Sequence, residues 1–394
     1  MSLKSPLEVS QHLNLPQPYE AVAGQWTPER AKAWYDRLPW LAGTNYYPAT
    51  AINQLEMWQR DMWDPARIKL EMQWSQELGF NTHRVYLHDL VWEADADGLY
   101  ARMDEFLDIC AAHGVRPFFV FFDDCHSPFP KLGEQPLPVP AYHNSGWVTS
   151  PARADALAFA AGQASEAVVN RLKGYVQQTL QRFAHDDRVL MWELYNEPGR
   201  GAGTVEDANA GNLEAHDFAD ASAPLVHESW VWAREVNPSQ PICSNSEGCV
   251  GDINWSISVI NSDVHSIHHY GNRDKVSELL DQFEQFDRPL FMTEYLARKT
   301  NSTFEEVMPL LKERRVAAIN WGFVAGKSGT IWPWNSRERD GAYRTATSLR
   351  AKGDVVEKVE DLPEPDLWFH DILRYDGTPY REEETACIRS LTKG

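Results

Sequence analysis

RVLMWELYN, residues 188–196, runs straight into Glu197-Pro198-Gly199-Arg200. Its unbroken apolar and aromatic character is that of a strand buried on both faces. Pro198 ends the run, because proline bends the chain and has no N–H to give to a sheet. Asn196 and Glu197 are therefore expected where a strand opens into a loop. A carboxyl at such a bend is badly placed for support and well placed for chemistry.

Outward from this stretch, the same rhythm recurs along the 394 residues: a short β-rich run, a polar loop, then a helical stretch. The strand candidates are 40–48, 81–89, 115–124, 188–196, 241–246, 263–270, 288–295 and 317–326. Between them, PARIKLEMQWSQELGF carries Pro65 in its first turn and Gly79 at its end, the usual start and stop chemistry of a helix. LYARMDEFLDICAAHG closes in the same way at Gly114. AVVNRLKGYVQQTLQRFA and KVSELLDQFEQF have apolar residues at helical spacing. Eight alternating strands and helices predict an α/β fold, a (β/α)8 TIM barrel with long loops at its C-terminal face. A doubly wound sheet normally carries a glycine-rich phosphate loop after its first strand, and GTNYYP is not one. The expected organisation is an N-terminal extension, 1–35, packing on a single catalytic domain, 36–394. Long excursions are expected at 123–150, 198–215 and 327–365, each following a strand C-terminus, the face where barrels build their sites.

Composition narrows the function. The formal net charge of −20 disfavours nucleic acid and anionic membrane surfaces as partners. No run of 18 apolar residues is present to span a bilayer. The N-terminus has no apolar leader core, which reads as cytoplasmic; a periplasmic or secreted location fits if a leader preceded it. Five cysteines without CxxC spacing favour a reduced compartment and disfavour a zinc site. The 16 Trp, 14 Tyr and 16 Phe suit a cleft paved with rings for flat sugar faces as well as a packed core.

In the barrel reading a second acid, Glu294 of PLFMTEY, ends strand seven, 97 residues beyond Glu197. That is three βα units of about 32 residues, which puts the two acids across the barrel mouth from each other. Facing carboxyls of this kind suit glycoside hydrolysis, one protonated and the other ionised, and their mutual repulsion separates their pKa values. His265, His268 and His269 alternate between strand faces and lack a barrel-metal pattern, so no metal and no cofactor is expected.

WELYNEP and PLFMTEY together resemble the clan of retaining (β/α)8 glycoside hydrolases that includes the family 5 cellulase- and mannanase-like enzymes. The resemblance implies that Glu197 is the general acid/base, Glu294 the nucleophile and Asn196 a ligand of the sugar 2-hydroxyl. It further implies that Tyr270, in His268-His269-Tyr270, touches the nucleophile and that Arg84 of NTHRVYL keeps it ionised. Trp321 is the candidate sugar platform, with Trp332 and Trp334 as alternates. His268, Asp124, His126 and His88 are candidate substrate contacts, and Glu193 is expected to be a structural acid paired with an arginine. After strand three, FFDDCHS departs from the His pair of many family members. The segments INWGFVAGKSGTIWPW and DLWFHDILRYDGTPYREEE resemble a bacterial branch described as cellulase- or xylanase-like. The expected partner is an oligosaccharide or polysaccharide, cut by double displacement, with the long loops favouring exo action or short chains. A transglycosylase, an α-L-arabinofuranosidase-type enzyme and a non-catalytic sugar-binding barrel are the alternatives.

Overall fold

Trp192–Asn196 is a fully buried strand, hydrogen-bonded in parallel to Phe118–Asp123 on one side and Ile242–Cys243 on the other. The computed structural model to which it belongs describes residues 19–201, 218–339 and 341–393. Parallel pairing continues around the molecule through nine strands, and Ala42–Asn45 bonds to both Thr82–Tyr86 and Ala317–Asn320. The result is a nearly closed TIM barrel of eight staves, ringed by helices. The fifth stave is split into Ile242–Cys243 and Asn245–Glu247. The predicted continuous strand 241–246 breaks because the Ser244 N–H leaves the ladder for the Ser262 hydroxyl, 3.2 Å away. The sixth, seventh and eighth staves are His265–His268, Leu290–Glu294 and Ala317–Asn320.

The strands are shorter than their apolar runs, because the chain turns outward at the barrel mouth. At the end of the eighth stave Gly322 has φ +86°, and a Cβ there would meet the Asp371 backbone nitrogen at 2.5 Å. Helix Pro65–Leu78 has the predicted Pro65 start and left-handed Gly79 stop, and Asp64 caps it by accepting from Arg67 N at 3.0 Å. Helix Asp89–Ala112 begins earlier than its periodic stretch at Leu99. His88 caps it, and Asp95 interrupts it with extended φ.

Two apolar layers hold the barrel. One lies between staves and helices, with Met72, Phe106, Leu107, Val176 and Leu180 all inaccessible to solvent. The other closes the end of the barrel opposite the mouth, where Phe118, Met191, Val264 and Phe291 pack together. Helix Pro28–Tyr35 covers that end, with Trp34 stacked on Phe291 at 6.3 Å. Each such fully buried side chain contributes about 1.5–3 kcal/mol. Ahead of that helix, Val22 N donates to Asn261 and Trp26 N to Asp263, both at 2.7 Å. Residues 1–18 of the expected extension lie outside the described residues, as do 202–217 of the loop after the fourth stave.

The two other long loops are knitted together over the mouth. His143 N donates to Ser336 Oγ at 2.9 Å, and Arg339 and Arg350 donate to carbonyls of residues 137–145. The C-terminal segment returns to the same place, where Phe369 packs on Trp334 at 4.7 Å. All five cysteines are free thiols. Among the described residues no helix is long and apolar enough to cross a membrane.

Candidate active site

Glu197 and Glu294, from the tips of the fourth and seventh staves, open into one cavity of about 360 Å³ at the C-terminal mouth. Their surroundings differ. Glu294 Oε1 accepts from Arg84 Nη1 at 2.9 Å and from Tyr86 Oη at 3.3 Å, and Oε2 from Tyr270 Oη at 2.6 Å. Arg84 and Tyr86 reach it together because residues two apart on a strand share a face. Arg84 is itself fixed. It grips Glu193 through two N–H···O bonds of 2.7 and 2.8 Å and donates to Asn196 Oδ1 at 2.7 Å and Asn45 Oδ1 at 2.9 Å. Arg84 therefore serves both the structural acid and the candidate nucleophile.

Glu197 sits at φ +39°, a left-handed backbone that costs a non-glycine residue on the order of 1 kcal/mol. The bend turns its carboxyl into the cleft. Oε1 lies 2.9 Å from His268 Nδ1; Oε2 lies 2.8 Å from Arg200 Nε and accepts from the Cys125 thiol at 2.9 Å. His268 Nδ1 is also 3.6 Å from Glu294 Oε2. Burial pushes Glu197 up, but the Arg200 charge, with His268 and Cys125, outweighs it and holds the carboxyl below the usual range. Burial raises Glu294, and the Glu197 charge adds to that rise against the pull of His268, Arg84 and Tyr270.

Glu197, His268 and Glu294 place one atom each within 4.8 Å of the others, a spacing also open to a cation. A metal would have to displace Arg84 and Arg200, which already occupy the carboxylates. The donor set fits proton transfer better than ligation.

Of the other predicted residues, Asn196, Tyr270, Trp321, Trp334 and His126 line the cavity. Trp321 packs edge-on against Tyr86 and Trp147, whereas Trp334 is 40% exposed and stands edge-on over Tyr270 at 5.2 Å. Burial pushes His126 down to about 3, so it faces the cleft neutral. His268, expected to touch sugar, lies between the two carboxyls. His88 and Asp124 are not in the cavity wall. His88 caps its helix and bonds the Thr149 carbonyl at 3.0 Å, while Asp124 pairs with Arg153 at 3.0 Å and accepts from Gly199 N at 2.8 Å. Trp332 faces a separate cavity of about 230 Å³ on the other side of its loop.

The adjacent acid, Asp123, is the one in the wall. It accepts from Trp147 Nε1 at 2.7 Å and Asn196 Nδ2 at 2.9 Å, and burial raises it to about 7. Cys125, His143, Trp147, Arg200 and Arg337 complete the site and carried no sequence motif. The one available signal was the FFDDCHS departure itself, since a polar replacement at a strand tip still faces the mouth.

No family model matches the chain, and no curated protein matches its sequence. Solved structures do share its architecture. An exo-β-1,4-mannosidase from Opitutaceae bacterium strain TAV5 superposes with a TM-score of 0.55 at 17% identity, over 95% of this chain and 61% of that one. This chain thus spans less than two thirds of that mannosidase's length. An endo-β-1,4-mannanase from Thermotoga petrophila gives 0.51 at 12% identity, over 90% and 76%. A family 5 mannosidase from Rhizomucor miehei gives 0.50 at 11%, over 90% and 93%. The chain has the (β/α)8 fold of these glycoside hydrolases.

Proposed function

We propose that the protein is a retaining glycoside hydrolase acting on β-linked oligosaccharides. The observation that carries this reading is the pair Glu197–Glu294 in one cleft, with one carboxylate oxygen of each within 4.8 Å of the other and His268 Nδ1 between them. Retaining enzymes hold their carboxyls about 5–5.5 Å apart, and inverting ones leave about 6.5–9.5 Å for a water. Glu294, held by Arg84 and Tyr270, attacks the anomeric carbon as Glu197 gives its proton to the departing oxygen. A glycosyl-enzyme forms and the leaving group departs as an alcohol. Glu197, now a base, takes a proton from water, whose oxygen displaces Glu294 and releases the sugar. Asn196 is oriented between Arg84 and Asp123 to grip the 2-hydroxyl.

Trp334, His143 and Arg337 rise from the two interlocked loops and wall the cleft, which favours chain ends over the middle of a polymer. β-1,4-Mannosides are the first substrates to test, because exo-mannosidase and mannanase structures share the fold. The test is a panel of aryl β-glycosides and manno-, gluco- and xylo-oligosaccharides given to wild type and Glu294→Gln. Hydrolysis with retained anomeric configuration, lost in the variant, is expected. Inverted product would overturn the retaining assignment, and internal fragments from a long polymer would overturn exo action.

A further inference from the structure

The proposed acid/base presents a conflict. It must carry a proton to assist the leaving group, yet in the empty cleft both its oxygens are held by donors suited to an anion. Three groups supply them: His268 Nδ1 on Oε1, and Cys125 Sγ and Arg200 Nε on Oε2. Cys125 and His268 are almost wholly buried, one two residues past the third stave and the other ending the sixth, so neither can withdraw. Arg200 differs. Its side chain is 43% exposed, and it stands between Gly199 and Gly201, both left-handed at φ +84°.

Resting on the retaining reading above, we propose that Arg200 is a positioning residue that decides which carboxyl carries the proton. It holds Glu197 as an anion in the empty cleft and yields its place on Oε2 to the leaving-group oxygen when a glycoside binds. With the guanidinium gone, Glu197 takes up a proton from solvent and stands as the acid. The same step removes a negative charge beside Glu294, leaving the nucleophile ionised under Arg84 and Tyr270. One movement thus sets both roles.

The other groups facing Glu197 do not supply this change. Asp123, His268 and Glu294 end the third, sixth and seventh staves, Cys125 and His126 follow the third, and Tyr270 follows the sixth. Arg84 reaches the pair only through Glu294. Of the two arginines among the described residues that line this cleft, Arg337 is buried and Arg200 stands with its side chain 43% exposed on a glycine-flanked loop. Glu247, at the end of the fifth stave, has its carboxyl raised by burial against the pull of the His268 and Arg200 charges. Arg200 Nη2 already donates to the Gly248 carbonyl beside it at 2.7 Å.

The test is the pH dependence of wild type, Arg200→Gln and Arg200→Lys, with an oligosaccharide for which glycosylation limits turnover. In kcat/KM the basic limb reports Glu197 in the free enzyme, and in kcat it reports the bound state. For wild type the kcat/KM limb is expected below the kcat limb, because Arg200 favours the anion only while the cleft is empty. Arg200→Gln should raise the kcat/KM limb by about one pH unit or more, to meet the kcat limb, while Arg200→Lys stays near wild type. On a dinitrophenyl glycoside, whose leaving group needs no proton, the basic limb of kcat/KM should disappear in wild type and in Arg200→Gln alike. Coincident limbs in wild type, or an unmoved limb in a folded Arg200→Gln, would overturn the proposal. Hydrolysis surviving in Glu294→Gln would instead remove the retaining reading, and this inference with it.

Discussion

Two carboxyls at strand tips of the same barrel are held by two kinds of structure. Glu294 is framed by the staves: Arg84 and Tyr86 share one face of the second, and Tyr270 follows the end of the sixth. Arg84 is locked in turn by Glu193 and Asn45, so the frame has no slack. Glu197 stands on a left-handed bend, and one of its three donors rides on a loop between glycines. The difference matches the chemistry proposed for each. A nucleophile attacks once from one fixed position, whereas an acid/base must exchange protons twice in a cycle and gains from a partner that moves.

The comparison breaks most sharply at Glu294. Glu294→Gln should lower turnover on the order of 10⁴-fold or more on every substrate while oligosaccharide binding, followed by calorimetry, stays near wild type. Retained turnover would sink its role. Glu197→Ala should cost about 10²–10⁴-fold in kcat/KM on an oligosaccharide and far less in kcat/KM on a dinitrophenyl glycoside. Equal losses on both substrates would mean that Glu197 does not donate the proton. The rigid and mobile arginines should separate in stability. Arg84→Met strands the buried Glu193 and should cost about 3–5 kcal/mol in chemical denaturation, against roughly 0.5 kcal/mol or less for the half-exposed Arg200→Gln. Similar losses would erase the distinction drawn here. Smallest is Tyr270→Phe, which removes one bond to Glu294 and should lower kcat about 10- to 100-fold with the fold intact. An unchanged kcat would show that Arg84 and Tyr86 suffice to hold the nucleophile.

Much of the fold was legible in the sequence because a parallel barrel writes its staves as continuous apolar runs between capped helices. The stretch 188–196 and its fellows located all eight staves; their shorter ends escaped, and so did the break at Ser244 in the fifth, which depends on a hydroxyl 18 residues away. Glu197, Glu294, Asn196 and Tyr270 meet in the cleft because each ends, or closely follows, a stave, and the barrel alone brings such ends together. His88 and Asp124 were read as sugar contacts from the same nearness to a strand end. Whether such a side chain faces the mouth, caps a helix or pairs with Arg153 depends on a turn of one residue that apolar pattern does not encode.

The sequence by itself determined the barrel, the two acids and the spacing that sets them face to face, because strand periodicity and strand order are local properties. Only the tertiary structure decided what surrounds those acids. His143, Trp147, Arg200 and Arg337 come from loops whose course follows from packing against one another, and no local pattern marks them. Which carboxyl is held as an anion, and by which arginine, is a matter of distances of about 3 Å between residues far apart in the chain. Electrostatics at that range is set by contact alone.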